Sequence, residues 1–329
     1  MRKVRVFTLM AVLGLAAEIA LLVWRNEIAV LPLALVWVCL LGVINLKYEG
    51  AYALSYNGRF EKELPGDYPP AEMSYLMTMR RMNARDLWAG FFRLYSMGLL
   101  SVVKEGGNYL FSLRPDAGQN PAWARLAGYE RYAVAWLIED LGGGTLTLAA
   151  LYGVGKDKKQ VAAQRRNYLC WKKLVAEAAA QQDFFEKKYL PSAAGLCVGF
   201  LYMAGGLAGI LLTGKLAFGL LLIMGSFLAL YSVFVLRRSR AGQEAYERWL
   251  AVKRYLMAAD AEAEALSPGQ WEAFLPYAIS FGIMGLVGER LAALPAEAVP
   301  ADCPLLRFCA APENKVCFDA LERVLLFLR

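Results

Sequence analysis

Apolar positions in this chain follow two kinds of pattern. In four places they run on, almost without polar interruption, for the length of a membrane crossing: Val6–Trp24, Ile28–Leu46, Leu190–Thr213 and Leu216–Leu236. Elsewhere they recur every three or four residues or alternate, as surface helices and half-buried strands require. The first run holds 19 residues, with Glu18 as its one charge. As a helix it reaches about 28 Å, against roughly 30 Å of hydrocarbon. Its basic start also suits a signal peptide, but a second span follows directly after Arg25–Glu27. A retained hairpin is therefore the preferred reading.

Charge orients these runs. Arg25 is the only basic residue in the first connection, whereas Arg2, Lys3 and Arg5 precede the pair and Lys47 follows it. Lys187 and Lys188 precede the second pair, Gly214-Lys215 joins it, and Arg237, Arg238 and Arg240 follow. Basic flanks stay on the cytoplasmic side, so both hairpins place the two termini and residues 48–189 there. Gly195-x-x-x-Gly199 and Gly205-x-x-x-Gly209 suit close helix packing, within the bundle or, as the less favoured alternative, in a homodimer.

Between and after the hairpins the pattern turns helical. Asp67-Tyr68-Pro69-Pro70 breaks the chain. A helix is predicted over Ala71–Met82, and a second, capped by Asn83, over Ala84–Met97 with Gly98 at its end. Ser101–Val103, a turn at Glu105–Asn108 and the alternating Tyr109, Phe111 and Leu113 form a hairpin. Helices followed by a hairpin describe a winged helix. Further helices are predicted over Tyr129–Leu141, Asp157–Gln181, Ala241–Ala259, Gln270 toward Leu294, and Phe318–Leu328. The uncharged stretch Ala273–Gly288 is short for a span and contains Pro276, which favours a buried or interfacial helix over a fifth crossing. The predicted organisation is a mainly α integral membrane protein. Hairpin 1 covers 1–47, a linker 48–68, a winged-helix-like unit 69–117 and a second cytoplasmic helical unit 118–189. Hairpin 2 covers 190–240 and a cytoplasmic helical region 241–329.

Composition narrows the chemistry. Among 329 residues there is no histidine, which removes the commonest general base and zinc ligand. The six cysteines form no C-x-x-C pair; Cys303, Cys309 and Cys317 sit in the tail. Gly153-Val154-Gly155-Lys156 has the wrong spacing for a phosphate loop, and Asp157 replaces the hydroxyl residue that holds magnesium. No cofactor, no metal site and no enzymatic activity are expected. The winged-helix pattern raises the question of DNA, but Arg85, Arg93 and Lys104 are opposed by Asp86 and Glu105, a poor footprint for phosphates.

The net charge of +7 has one concentrated source. Lys158, Lys159, Arg165, Arg166, Lys172 and Lys173 recur in pairs at intervals of seven, nearly two helical turns, and so form one stripe opposite Val161, Tyr168, Trp171 and Val175. Such a stripe is either a solvated face or a surface for anionic lipid headgroups, the polyanion closest to the following span.

Two motifs carry a resemblance. One is Leu64-Pro65-x-x-Tyr68-Pro69-Pro70-Ala71-Glu72. The other runs from Gly242 and Trp249-x-x-x-x-Arg254-Tyr255-Leu256 to Trp271-Glu272-x-x-Leu275-Pro276-Tyr277-Ala278-Ile279-x-x-Gly282. Together they resemble the carboxy-terminal part of the YciQ-like predicted membrane proteins, a bacterial family with a domain of unknown function. The resemblance implies a bacterial inner membrane location and supplies no catalytic residue. It also implies a preceding signal peptide and extracytoplasmic β-domain, in whose place this sequence has a hairpin. The expected role is a membrane-anchored scaffold or regulator with a protein or lipid partner; the alternatives are a transport or envelope-assembly component and a membrane-tethered DNA-binding regulator.

Overall fold

A computed structural model describes residues 35–39, 41–42, 56, 58–186, 189–234, 237–258, 266–292, 299–314, 317–318 and 320–321. Glu18, the first apolar run and most of the closing helix at 318–328 lie outside them. The chain divides into two compact units. Unit 1 takes Met1–Tyr52 and Phe185–Arg238; unit 2 takes Ala53–Phe184 and Ser239–Arg329. The stretches 69–117, 118–184 and 241–329, read separately along the chain, thus share one unit.

Unit 2 opens with α1 (Pro70–Met77) and α2 (Ala84–Ser96), then β1 (Leu100–Glu105) and β2 (Asn108–Leu113). The one-turn α3 (Pro121–Ala124) leads to α4 (Gly128–Val134), which continues as a π-helix over Ala135–Leu141. A short β3 (Thr145–Thr147), α5 (Leu148–Val154) and α6 (Lys158–Ala180) follow. Unit 1 supplies α7 (Tyr189–Thr213) and α8 (Gly219–Phe234). Unit 2 resumes with α9 (Arg240–Met257), α10 (Pro268–Phe281), α11 (Met284–Ala292) and α12 (Pro304–Ala310).

The local signals account for most boundaries. Gly106 and Gly107, at φ 56° and 81°, make the two-residue turn that pairs Glu105 with Asn108 and Leu100 with Leu113. β3 adds to the far side of β2. Gly98 leaves α2 at φ 71°. Asp157 caps α6, its carboxylate accepting from Lys159 N at 2.8 Å. One boundary differs from expectation. α1 stops at Met77, not Met82, because Thr78 turns its hydroxyl onto Ser74 O at 2.6 Å and onto Arg81 O, while Met79 and Arg80 take left-handed φ values of 55° and 64°. The uncharged stretch 273–288 is also not one helix. α10 ends at Gly282, left-handed at φ 70°, and residues 274–280 are all buried within unit 2. The segment read as a linker is packed as well: Phe60 meets Tyr255 edge-on at 6.0 Å and Tyr68 meets Phe184 at 5.0 Å.

In unit 1, Ala193–Thr213 is, among the described residues, the one helix long and apolar enough to cross a membrane, with a mean hydropathy of 2.0. Only 17% of its most apolar window is buried, whereas the core helix of a soluble domain is mostly covered. Leu201, Leu211, Leu212 and Leu216 point outward with 70–85% of their surface free. α7 and α8 pack through glycine. A Cβ on Gly199 would lie 2.9 Å from Gly225 O and Ala229 N, one on Gly225 2.5 Å from Gly199 O, and one on Gly206 2.9 Å from Leu222 N. Gly205 has open space around it, so the packed stripe is 195, 199, 206 and 209, and it is used within the chain. The second apolar run reaches the same core: Trp37 donates its indole N–H to Met224 O at 2.9 Å and packs with Leu221, Met224 and Leu228.

This packing yields a paired test. Gly225→Val forces the two backbones apart and should cost about 1–3 kcal/mol, read as a lower melting temperature of the full chain in detergent. Gly205→Leu should leave the melting temperature within error. Equal effects of the two substitutions would refute the assignment of the packed stripe.

Candidate functional site

The motif Trp271–Gly282 forms the body of α10. Ser267 caps it, accepting from Gln270 N at 3.3 Å, while Gln270 Oε1 accepts from Ser267 N at 2.9 Å. Trp271, Leu275, Pro276, Tyr277 and Ala278 are buried. Tyr277 donates to Tyr68 O at 2.8 Å and lays its ring 4.6 Å from that of Trp249. Gly282 stands where any Cβ would collide with the Arg85 guanidinium. Glu272 accepts from Leu305 N at 2.9 Å and Leu306 N at 2.6 Å, so its carboxylate caps the orphan amides that open α12. Every motif residue therefore does a packing or capping task inside unit 2.

Beside α10 lies a set of buried carboxylates. Asp86 accepts from Asn83 N at 2.7 Å, Ser74 Oγ at 2.8 Å and Ser280 Oγ at 2.6 Å. Glu72 accepts from Tyr129 Oη at 3.0 Å and Gln182 Nε2 at 3.1 Å. Glu130 accepts from Arg93 Nη1 at 2.7 Å and Ala127 N at 3.0 Å. Burial raises the Asp86 carboxyl to about 6, held back by Ser280, Asn83 and Ser74. Burial also raises Glu72, with Tyr129 and Gln182 opposing. The Tyr129 phenol is pushed well above its usual range by burial and by Glu130 and Glu72. These groups join α1, α2, α4, α10 and the end of α6. Asp86, Tyr129 and Glu130 line, with Pro70, Trp171 and others, a partly open cavity of about 10 Å³, room for about one water. The hydrogen bonds of the cluster join helices to one another.

The basic residues occupy a different surface. α6 buries Tyr168, Trp171, Val175 and Ala179, while Val161 is only half-buried. Lys158, Lys159, Arg165, Arg166 and Lys173 are exposed and Lys172 is half-exposed, so the six do share an outer face. Lys172 Nζ sits 5.4 Å above the Tyr168 ring, and Lys173 approaches Glu177 at 3.8 Å. The helix that would read DNA offers nothing comparable. No residue of α2 is exposed. Arg93 is bound to Glu130, Arg85 covers Gly282, and Lys104 reaches Glu313 O at 3.4 Å. Phe308 and Phe318 cover Phe92 at 5.6 and 5.0 Å.

Two signals went unread in the sequence. Asn83-x-x-Asp86 is a capping-box spacing, which marks Asp86 as an inward-turned carboxylate and not a counter-charge to Arg85. Glu130 stands in the same relation to Ala127. Nothing local marks Ser280 or Gln182 as their partners. The tail cysteines are interior: burial raises the Cys309 thiol well above its ordinary value and that of Cys317 to about 12, so both stay protonated and unreactive. Among the described residues no three His, Cys, Asp or Glu side chains gather as a metal site.

Asp86 sets a pH test. Its folded value of about 6 lies above the ordinary 3.8, so folding favours the protonated form. The stabilisation is complete below pH 4 and is lost as pH rises through 6, by about 3 kcal/mol in all. The full chain in detergent should melt at a lower temperature at pH 7.5 than at pH 4.5, and Asp86→Asn should flatten that slope. Asp86→Ala strands two hydroxyls and an amide and should cost about 2–4 kcal/mol at either pH. Parallel pH profiles for wild type and Asp86→Asn would rule this out.

No curated protein and no solved structure matches the chain. Residues 57–291 match the family described as predicted membrane protein (DUF2207) C-terminal domain. That stretch runs from the segment before α1 to the last turn of α11 and contains both motifs, the buried carboxylates, the basic helix and the apolar pair α7–α8. It covers 235 of 329 residues, and the chain therefore belongs to this family of predicted membrane proteins, whose function is unknown.

Proposed function

We propose that this protein is a non-enzymatic scaffold or regulator anchored in the bacterial inner membrane by four spans, with both termini and unit 2 on the cytoplasmic side. The observation that carries the reading is the contrast within unit 2. Its buried carboxylates are taken up in hydrogen bonds that join helices, while its largest concentration of exposed basic side chains lies on the outer face of α6. This contrast supports a protein that presents a surface over one that encloses a reaction. α7, α8 and the apolar runs at 6–24 and 28–46 supply the spans, and the basic residues flanking each pair set their direction. The order α1, α2, β1, β2 supports a winged-helix-like unit; α2 has no exposed residue to offer a DNA groove, so a protein or lipid partner would meet another face of unit 2.

Two measurements test this. Cys170 is exposed on α6. In intact cells it should resist a membrane-impermeant maleimide and react once the membrane is permeabilised; labelling of Cys170 in intact cells would reverse the topology. Separately, Lys158→Glu with Lys159→Glu should abolish the phenotype of the gene while Asp86→Asn preserves it. The opposite result would move the function to the buried carboxylates. Glu18 offers a third check: Glu18→Gln should leave the phenotype intact, whereas its loss with normal insertion would favour a transport role.

A further inference from the structure

The outer face of α6 holds more than charge. Leu169 is 55% exposed in the middle of it, the one large apolar side chain that this face presents. On a helix the neighbours of a residue stand three and four positions away. For Leu169 these are Arg165, Arg166, Lys172 and Lys173, all basic. Seven residues earlier the exposed Ala162 has Lys158, Lys159, Arg165 and Arg166 in the same four places. Two apolar positions thus lie in line along the helix, each with a cation at its four corners, and we refer to this line as the ridge. The only acids on α6 or at its cap are Asp157, which caps the first turn, and Glu177, set against Lys173 with both side chains largely exposed. Neither lies between the cation pairs around Leu169.

The two simple roles of a basic stripe do not call for this ridge. A solvated face tolerates a single leucine but gives no role to its place at the centre of four cations. A phosphodiester backbone rewards the cations but gives an aliphatic side chain no apolar partner. The headgroup boundary of an anionic bilayer takes both: an aliphatic side chain enters the acyl edge while long Lys and Arg stems keep their charges at the phosphates. In sequence the stripe lies close to an apolar segment: eight residues separate Ala180, the last of α6, from Tyr189, the first of α7.

Resting on the proposed membrane anchoring of unit 1, we infer that the outer face of α6 is a peripheral bilayer-contact surface that takes anionic phospholipid headgroups around an inserted Leu169. The basic pairs bring the helix to the membrane, and Leu169 fixes how deeply it sits. Binding is therefore shallow, selective for anionic lipid and sensitive to salt.

The test uses the full chain in lipid nanodiscs. With Cys39 and Cys197 replaced by Ala, Cys170 beside Leu169 is the remaining exposed thiol, since Cys303, Cys309 and Cys317 are buried. An environment-sensitive dye on Cys170 should shift to the blue in discs containing phosphatidylglycerol and be quenched several-fold more strongly by headgroup-labelled lipid than in discs of phosphatidylcholine alone. High salt or Arg165→Glu with Arg166→Glu should abolish the difference. Leu169→Ala should keep the lipid selectivity but reduce the quenching; because Leu169 is exposed, this substitution leaves the core intact. A dye response that ignores phosphatidylglycerol, or a Leu169→Ala response equal to wild type, overturns the inference. So does retardation of duplex DNA by phosphatidylcholine discs at physiological salt, which assigns the stripe to nucleic acid. Release of the chain from native membranes by alkaline carbonate would instead defeat the anchoring on which the inference rests.

Discussion

The 2.6 Å hydrogen bond from Ser280 to Asp86 closes a unit whose sequence is split in two. Residues before the α7–α8 pair and residues after it must meet to complete unit 2, and 194 positions separate these partners along the chain. Asp86 is nearly removed from water, so its charge is tolerable only while Ser74, Asn83 and Ser280 all donate to it. Any displacement of α10 leaves a buried carboxylate under-satisfied. The joint thus penalises misplaced packing more than it rewards correct packing, as expected of a polar group that specifies an arrangement in an otherwise apolar core.

The same constraint governs where the chain leaves and re-enters unit 2. Ser239 donates its amide to Phe184 O at 3.0 Å and its hydroxyl to Asp183 O at 2.6 Å, and Gly242 lies so close to the Phe184 carbonyl that no side chain fits. The two ends of the inserted segment are therefore held together within unit 2. In unit 1 the adjoining residues are tied in turn, Glu186 N donating to Arg237 O at 3.1 Å. The sequence of an apolar pair of helices can be inserted into that of a polar unit because the ends of the insertion need span almost no distance.

Much of this was legible in the sequence wherever the signal was local. The Gly106-Gly107 turn, the Asn83 cap, the Gly98 stop and the inward face of α6 all follow from residues within one or two turns of each other; the Gly282 stop went unread, and the helix was expected to run on toward Leu294. What could not be read depends on distant partners. α12 was not foreseen, because seven residues with one charge carry little periodicity and their start is stabilised by Glu272 from α10. The early end of α1 turns on the Thr78 side chain, which competes for backbone carbonyls in a way that propensity does not reveal. The glycines of α7 were recognised as a packing device, but the choice of Gly206 over Gly205 depends on where α8 lies.

The tail shows why a motif order alone does not settle what a surface does. Helix, helix and hairpin in sequence suggest a nucleic-acid reader, yet the face beside α2 and β2 is closed by the chain itself. Tyr109 donates to Glu313 O at 3.0 Å and its ring packs 6.0 Å from Phe308, which also meets Tyr95 at 6.1 Å. These covering residues lie beyond residue 291, outside the stretch that defines the family. A partner that docked on this face would have to displace a buried aromatic cluster worth several kcal/mol. The exposed face of α6 asks for no such exchange, and for that reason the surface chemistry of unit 2 is argued from α6 and not from the helix pair that its topology first brings to notice.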